Sequence, residues 1–438
     1  MIDKVQEMER ILPQIKNIKN SINRIENLHT LDDVEFFEIK NFSLKVQQLR
    51  DLLSTVNINI SKIQLYSLTS IVNLLDPENK NLPTFHIYSE YSENLKRIRE
   101  MKQNVEKEIL NEKNKHIKPN LVKERSEIVV LEEKEELKIR KDLTVKISND
   151  IDLIKKNIEI LAYLDLLNAK SKIALEYNGI KPEITMNLEL DLQEFFNPYI
   201  EQILSESGKK FMPITVKLQN GVTVITGANM GGKSVTLKTI ALNILLCIMG
   251  FYVYAKKAKI PIVQYIHYLS GDMQSVKRGL SSFGAEILSF KNSLTYLKNG
   301  EGVFLIDEFA KGTNPHEAYI LNKAILTYLK RFKCMILAVT HYDGIIEEDM
   351  NHFQVIGLRN VNFEDLKKEI KLNKKSGISV IQDYMDYRLI HVSSDEEIPK
   401  DALNISILLG LDQEIINLAE KYYEKDVKNG KEKKSKRE

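Results

Sequence analysis

The stretch Val222-Thr-Val-Ile-Thr-Gly-Ala-Asn-Met-Gly-Gly-Lys-Ser234, continued by the helical pattern Val235–Leu246, decides how this chain folds. Val222 to Thr226 are all β-branched, as in a buried strand. Gly227-x-x-x-x-Gly232-Lys233-Ser234 follows and opens the helix, so the order is strand, glycine loop, helix. That order suits a phosphate-binding loop. Gly227, Gly231 and Gly232 let backbone N–H groups turn inward, and the helix N-terminus adds partial positive charge. Lys233 is placed to reach β and γ phosphates, and the Ser234 hydroxyl to ligate Mg²⁺.

Two further elements complete such a site. Gly302–Ile306 reads as a buried parallel strand, with Asp307 and Glu308 at its C-terminal end, where α/β sheets put ligands. Asp307 is expected to position Mg²⁺ through its water shell, and Glu308 to orient or deprotonate the attacking water. A third strand, Met335–Thr340, ends in His341, which could sense the γ-phosphate.

The rest of the chain sets the context. It has 438 residues, enough for about two or three domains. Lys plus Arg is 63 and Asp plus Glu is 61, so a whole-chain polycation is excluded, though a local basic surface is not. Two cysteines, Cys247 and Cys334, cannot build a disulfide framework and fit a reducing, cytoplasmic setting. The N-terminus carries no apolar signal core, and the longest apolar run, Ile240–Met249, is too short to cross a bilayer, so no membrane partner is expected.

The first glycine is Gly179. A glycine-free stretch of that length predicts long helices with few breaks, and the expected helical domain spans residues 1–200. Leu143, Ile147, Ile151, Ile154, Ile158 and Leu161 place one apolar stripe along a helix. With the charged helix near 92–114, this predicts two antiparallel arms with a tip near 115–130, where Pro119 turns the chain. Lys115, His116, Lys118 and Lys123 make only a thin basic patch there. Residues 201–425 read as the α/β domain, ending in a helical pair broken at Gly410. Residues 426–438 read as a disordered charged tail. The expected architecture is therefore α plus α/β.

The motifs resemble those of the MutS mismatch-repair ATPases. Thr226-Gly-Ala-Asn-Met-Gly-Gly-Lys-Ser234 looks like the family's P-loop, with Asn229 and Met230 before the glycines. Gly279–Ile287, with Ser281, Ser282, Phe283 and Glu286, resembles its signature segment. Leu305–Ala318 resembles its Asp-Glu element, and Thr340-His341 its switch. More weakly, the stretches from Leu31 and from Asn157 look like the family's core and lever helices.

The resemblance implies an ABC-superfamily ATPase domain behind a helical core-and-lever domain with a short clamp. It implies ATP and Mg²⁺ at composite sites of a homodimer, or of a heterodimer with a MutS-like paralogue, joined through C-terminal helices. Gly227, Asn229, Met230, Gly231, Gly232, Lys233, Ser234 and Val235 would cradle the nucleotide. Ser234 and Asp307 would hold the metal, and Lys233, Glu308 and His341 would act in hydrolysis. Ser281 would reach in from the other subunit, and Phe211 would stack on adenine. Three departures stand out. The wedge motif of mismatch readers does not precede the helical core, and Phe36-Phe37-Glu38 reads as core. The clamp region is cut down. Phe309-Ala310-Lys311 replaces the usual Leu-Gly-Arg.

Two functions follow. One is an ATP-gated clamp on duplex, mismatched or branched DNA. The other is a protein-remodelling ATPase, such as a reactivase for an adenosylcobalamin-dependent aminomutase. A coiled-coil ABC ATPase of the Rad50 type is disfavoured by the compact span from Lys233 to Asp307 and by Leu280-Ser-Ser-Phe283 in the signature.

Overall fold

The computed structural model describes residues 2–55, 61–80, 84–114, 116–227, 230–270, 282–342, 344–372, 377–392 and 401–422. The chain is a mixed helix-and-sheet protein that divides into two compact units, Met1–Ser171 and Lys172–Glu438.

The first unit is built from α1 (Ile2–Ile11), α2 (Lys19–Glu26), α3 (Asp33–Ser54), α4 (Thr69–Leu75), α5 (Glu93–Asn111), α6 (Lys118–Ser148) and most of α7 (Ile151–Glu176). A capping box starts α3. The Asp32 carboxylate accepts the Glu35 N–H at 2.9 Å, and Glu35 accepts the Asp32 N–H at 3.0 Å. Phe36, Ile39, Val46 and Leu49 then follow at helical spacing and are fully buried. Phe36 is thus a core residue. Lys40 joins this interior and pairs with Asp76 at 3.2 Å.

Helices α5 and α6 run antiparallel. Arg99 meets Glu132 at 3.0 Å and Glu136 at 2.9 Å, while Arg125 meets Glu106 at 2.8 Å. Ile98, Val105 and Ile128 form the seam between them. The turn lies between Asn111 and Lys118, so residues 118–130 run inside α6 rather than at a tip, and Lys115 lies outside the described residues. Pro119 occupies the first turn of α6, where its missing N–H costs nothing. The apolar stripe also differs from expectation. A turn at Asn149–Asp150 divides it between α6 and α7, because Ser, Asn and Asp side chains offer the backbone alternatives to the helical ladder.

The second unit holds β1 (Glu183–Thr185), β2 (Glu189–Phe195), α8 (Pro198–Glu206), β3 (Ile214–Gln219), β4 (Gly221–Thr226), α9 (Lys233–Ile248), β5 (Lys257–Pro261) and β6 (Tyr265–Ser270). It continues with α10 (Ser282–Asn299), β7 (Gly302–Asp307), α11 (Pro315–Leu329), β8 (Met335–Val339), β9 (Asn351–Gly357), α12 (Phe363–Leu372), α13 (Gly377–Tyr384), β10 (Asp386–His391) and α14 (Asp401–Leu408). Residues 413–422 are also helical, and Gly410, at φ +79°, separates them from α14. The tail 426–438 lies outside the described residues.

The division falls earlier than the expected boundary at 200. Leu188, Leu190 and Leu192 alternate with Glu189, Asp191 and Gln193, which is a strand's period of two, and all three leucines are buried. Strands β1 and β2 therefore belong to a four-stranded sheet of order β1-β5-β2-β3. The larger sheet has the order β10-β9-β4-β8-β7-β6, with β10 antiparallel to β9 and the other pairs parallel. Helix α9 is packed among the apolar side chains of both sheets. Helices α10 and α11 cover the other face of the larger sheet. In the centre, β4 pairs with β8 and β9, which puts the glycine loop at the carboxyl end of the parallel strands. Among the described residues no helix is long and apolar enough to cross a membrane.

Candidate functional site

The site is assembled at the carboxyl ends of β4, β7 and β8. The loop leaves β4 at Gly227, whose φ of +134° and position against Val355 exclude a side chain: an added Cβ would lie 3.0 Å from Val355 Cβ. Gly232 caps α9 at φ +77°. A Cβ there would lie 2.9 Å from Tyr387 Cδ1. Gly231 is buried between them, and Met230, at φ +70°, is exposed. Asn229 lies outside the described residues. The first N–H groups of α9 point into this loop with the positive end of the helix dipole.

Lys233 is buried, with 4% of its side chain exposed. Its ammonium donates to the Gly227 carbonyl at 2.9 Å and lies 3.9 Å from Glu308 Oε1. The Ser234 hydroxyl donates to Asp307 Oδ1 at 2.7 Å, and the Tyr268 hydroxyl donates to Asp307 Oδ2 at 2.6 Å. Parallel pairing of β7 with β8 sets Asp307 opposite Val339, two residues before His341. The structure thus brings Lys233, Ser234, Asp307 and Glu308 together. Ser281 lies outside the described residues.

Beyond Asp307 the backbone is strained. Glu308 and Ala310 have φ of +46° and +64°, a region costly for residues with a Cβ. Neighbours hold this turn. Buried Glu286 of α10 accepts the Ala310 N–H at 2.6 Å. Asn322 of α11 donates to the Phe309 carbonyl at 2.8 Å. The Lys311 ammonium pairs with Glu308 Oε2 at 2.8 Å. Burial pushes the Glu308 carboxyl up, but Lys311, with Lys233 and His341, outweighs it and holds the group below its ordinary 4.5. His341 keeps an exposed edge. Partial burial pushes its imidazole below 6.5, against the pull of Glu308.

Beside the loop lies a cavity of about 530 Å³, lined in part by Phe211, Met230, Val235 and Tyr387. Lys209 and Asp383, paired at 2.7 Å, stand on its wall. Phe211 is half-buried there, on the same cavity wall as Met230 and Gly232 of the loop.

The donor set fits a small hard cation. Ser234 and Asp307 supply two oxygens, which suits Mg²⁺, an ion that keeps waters and draws other ligands from phosphates. Among the described residues no group of three or more His, Cys, Asp or Glu is placed to hold a metal by itself.

Sequence reading missed Tyr268 and Tyr387, and it named Glu286 and Lys311 without their roles. The role of Lys311 could have been read from a cation three residues past Glu308. Tyr268 follows from the end-to-end pairing of β6 with β7. Tyr387 comes from a strand far along the chain and left no local signal.

This geometry defines an α/β unit in which a glycine loop opens a helix beside an Asp-Glu pair at the end of a parallel strand. Residues 223–406 match the family described as MutS domain V. The chain is 35% identical over 215 residues to the Endonuclease MutS2 of Carboxydothermus hydrogenoformans, covering 48% of this chain and 27% of that protein. It is 29% identical over 306 residues to the Endonuclease MutS2 of Caldanaerobacter subterraneus subsp. tengcongensis, covering 69% and 35%. It is 28% identical over 291 residues to the DNA mismatch repair protein MutS of Clostridium perfringens, covering 65% and 30%. The chain belongs to the MutS family, and its matches span about a third of those relatives' length.

Proposed function

We propose that this chain binds ATP with Mg²⁺, hydrolyses it at sites completed by a second subunit, and uses the cycle to close a clamp on DNA. One observation carries the reading: a buried lysine at the glycine loop beside Ser234 and Asp307 at 2.7 Å, with Glu308 next to both. Lys233 and the N–H groups of α9 bind the phosphates. Ser234 and Asp307 hold Mg²⁺, which when bound neutralises phosphate oxygens. Glu308 takes a proton from water as its oxygen attacks the γ-phosphorus and the bond to the β-bridging oxygen breaks, leaving ADP and phosphate. His341 contacts the γ-phosphate, Ser281 of a second copy closes the site, and Phe211 stacks on the base. The named relatives, an endonuclease MutS2 and a DNA mismatch repair protein, support DNA as the partner.

One observation favours a protein client instead. Helices α5 and α6 mix both charge signs along their length and expose Leu110, Val122, Val130 and Leu131. The deciding experiment is anisotropy of fluorescent matched duplex, mismatched duplex and four-way junction with Glu308→Gln protein, ATP and Mg²⁺, across a salt series. Tight, ATP-dependent, salt-sensitive binding is expected. Intact dimers that bind none of these even at low salt would refute the DNA clamp and leave the protein client.

A further inference from the structure

The first unit holds a second cavity, of about 520 Å³, between α3, α7 and the segment 62–67. Its wall carries three cations, Arg50, Lys62 and Lys156, against one carboxylate, Glu159. That imbalance is local, since the whole chain is only +2. Neither Arg50 nor Lys62 has an ion-pair or hydrogen-bond partner among the described residues, and Lys156 stands over the Tyr66 ring at 5.6 Å. The wall is also braced. Fully buried Asn157 accepts the Tyr66 N–H at 2.8 Å and donates to the Tyr66 carbonyl at 3.1 Å, fixing the segment that carries the ring. A concave site that gathers unpaired cations around an exposed aromatic face raises the local concentration of anions and pairs with phosphate oxygens.

We propose that this cavity is a phosphate-binding site separate from the glycine loop, taking either a free phosphorylated molecule or a backbone phosphate of nucleic acid. Both sources offer the same oxyanion to Arg50, Lys62 and Lys156. The proposal does not depend on the nucleotide reading.

The test uses the full chain with Lys233→Ala, to silence the glycine loop, and compares it with the same chain carrying Arg50→Gln, Lys62→Gln and Lys156→Gln. One arm titrates inorganic pyrophosphate and follows the melting temperature. The other titrates a fluorescent DNA duplex across a salt series. A saturable upward shift with pyrophosphate that the three substitutions abolish supports a free ligand. Duplex binding that weakens at least tenfold in the triple variant, with a salt slope lower by about three, supports a backbone source. Glu159→Gln gives the opposite sign and does not threaten folding: it should tighten whichever probe binds severalfold. If the triple variant folds and neither probe's binding changes, or if Glu159→Gln changes nothing, the site is refuted. ATP turnover by the triple variant with Lys233 intact separates this failure from failure of the nucleotide reading.

Discussion

Glu286→Ala should uncouple the Asp-Glu turn from its support. Glu286 is 1% exposed, and its carboxylate accepts the Ala310 N–H at 2.6 Å. Hydrogen bonds to a charged group contribute about 1.5–3 kcal/mol, and removing the acceptor leaves a buried N–H unpaired. Against this stands the strain of two non-glycine residues at positive φ, Glu308 and Ala310, at about 1–2 kcal/mol each. The two quantities are of the same size, so the turn keeps its shape only while its clamps hold. A loss of about 2 kcal/mol should lower the melting temperature by roughly 4–8 °C. The relaxed turn should carry the Glu308 carboxylate out of place. On the proposed mechanism kcat should fall at least tenfold, with nucleotide affinity changed less than threefold. Glu286→Gln keeps an acceptor and should lose less on both counts. Ala310→Gly removes about 1 kcal/mol of strain and should partly restore the Glu286→Ala protein. The assays are phosphate release at saturating ATP, nucleotide titration and thermal melting. Wild-type kcat in a folded Glu286→Ala protein, or further destabilisation by Ala310→Gly, would refute the argument.

Gly232→Ala should abolish nucleotide binding in a protein that still folds, because Ala pays the positive φ and its methyl meets the Tyr387 ring at 2.9 Å; equilibrium binding of a fluorescent ATP analogue checks this. Lys311→Met should barely change stability at neutral pH, since Lys311 is largely exposed and such pairs contribute about 0–1 kcal/mol. It removes a cation that holds Glu308 down, so the acid limb of kcat should move to higher pH. For stability the sign runs the same way: a depressed Glu308 contributes above its unfolded 4.5 and loses that contribution as pH falls through its folded value, a loss the variant should show less of. Lys40→Met should cost about 3–5 kcal/mol, because it leaves Asp76 buried without its cation; Asp76→Asn in the same protein should recover part of it, read by denaturant melts.

What the sequence revealed depended on how local each signal was. The glycine loop, the strand before it and Asp307-Glu308 are contiguous, and their residue types are dictated by backbone geometry and charge, so they could be read directly. The helical stripe of the first unit was legible as burial, since Leu143, Ile147, Ile154 and Leu161 are all in the core. Its interruption at Asn149 was not, because a turn that keeps the apolar residues facing one core leaves their spacing almost unchanged. Strands β1 and β2 lie past Gly179, outside the glycine-free stretch, and were missed because the helical domain was carried on to residue 200 across Leu188-Glu-Leu-Asp-Leu192, whose period of two marks a strand. Tyr268, Tyr387 and Glu286 act across strands and helices, so only the assembled sheet brings them to the site.

The charges of the site are mutually balanced within the chain, and this constrains how a triphosphate could act. Lys233 is shared by the Gly227 carbonyl and Glu308, while Ser234 and Tyr268 both serve Asp307. A γ-phosphate drawn to Lys233 puts negative charge beside Glu308 in a largely buried setting, where like charges repel strongly. Glu308 already has an alternative partner in Lys311, on its other oxygen and toward solvent. The lower-energy response is therefore a shift of Glu308 toward Lys311. Its backbone cannot follow freely, because Ala310, two residues on, is hydrogen-bonded to Glu286. Any rearrangement of this strained turn thus pulls on α10, the helix that directly follows Ser281. If Ser281 meets a second subunit, as proposed, the same hydrogen bond that holds the turn also links phosphate binding to the subunit contact. Glu286→Ala should then weaken ATP-dependent dimerisation as well as turnover.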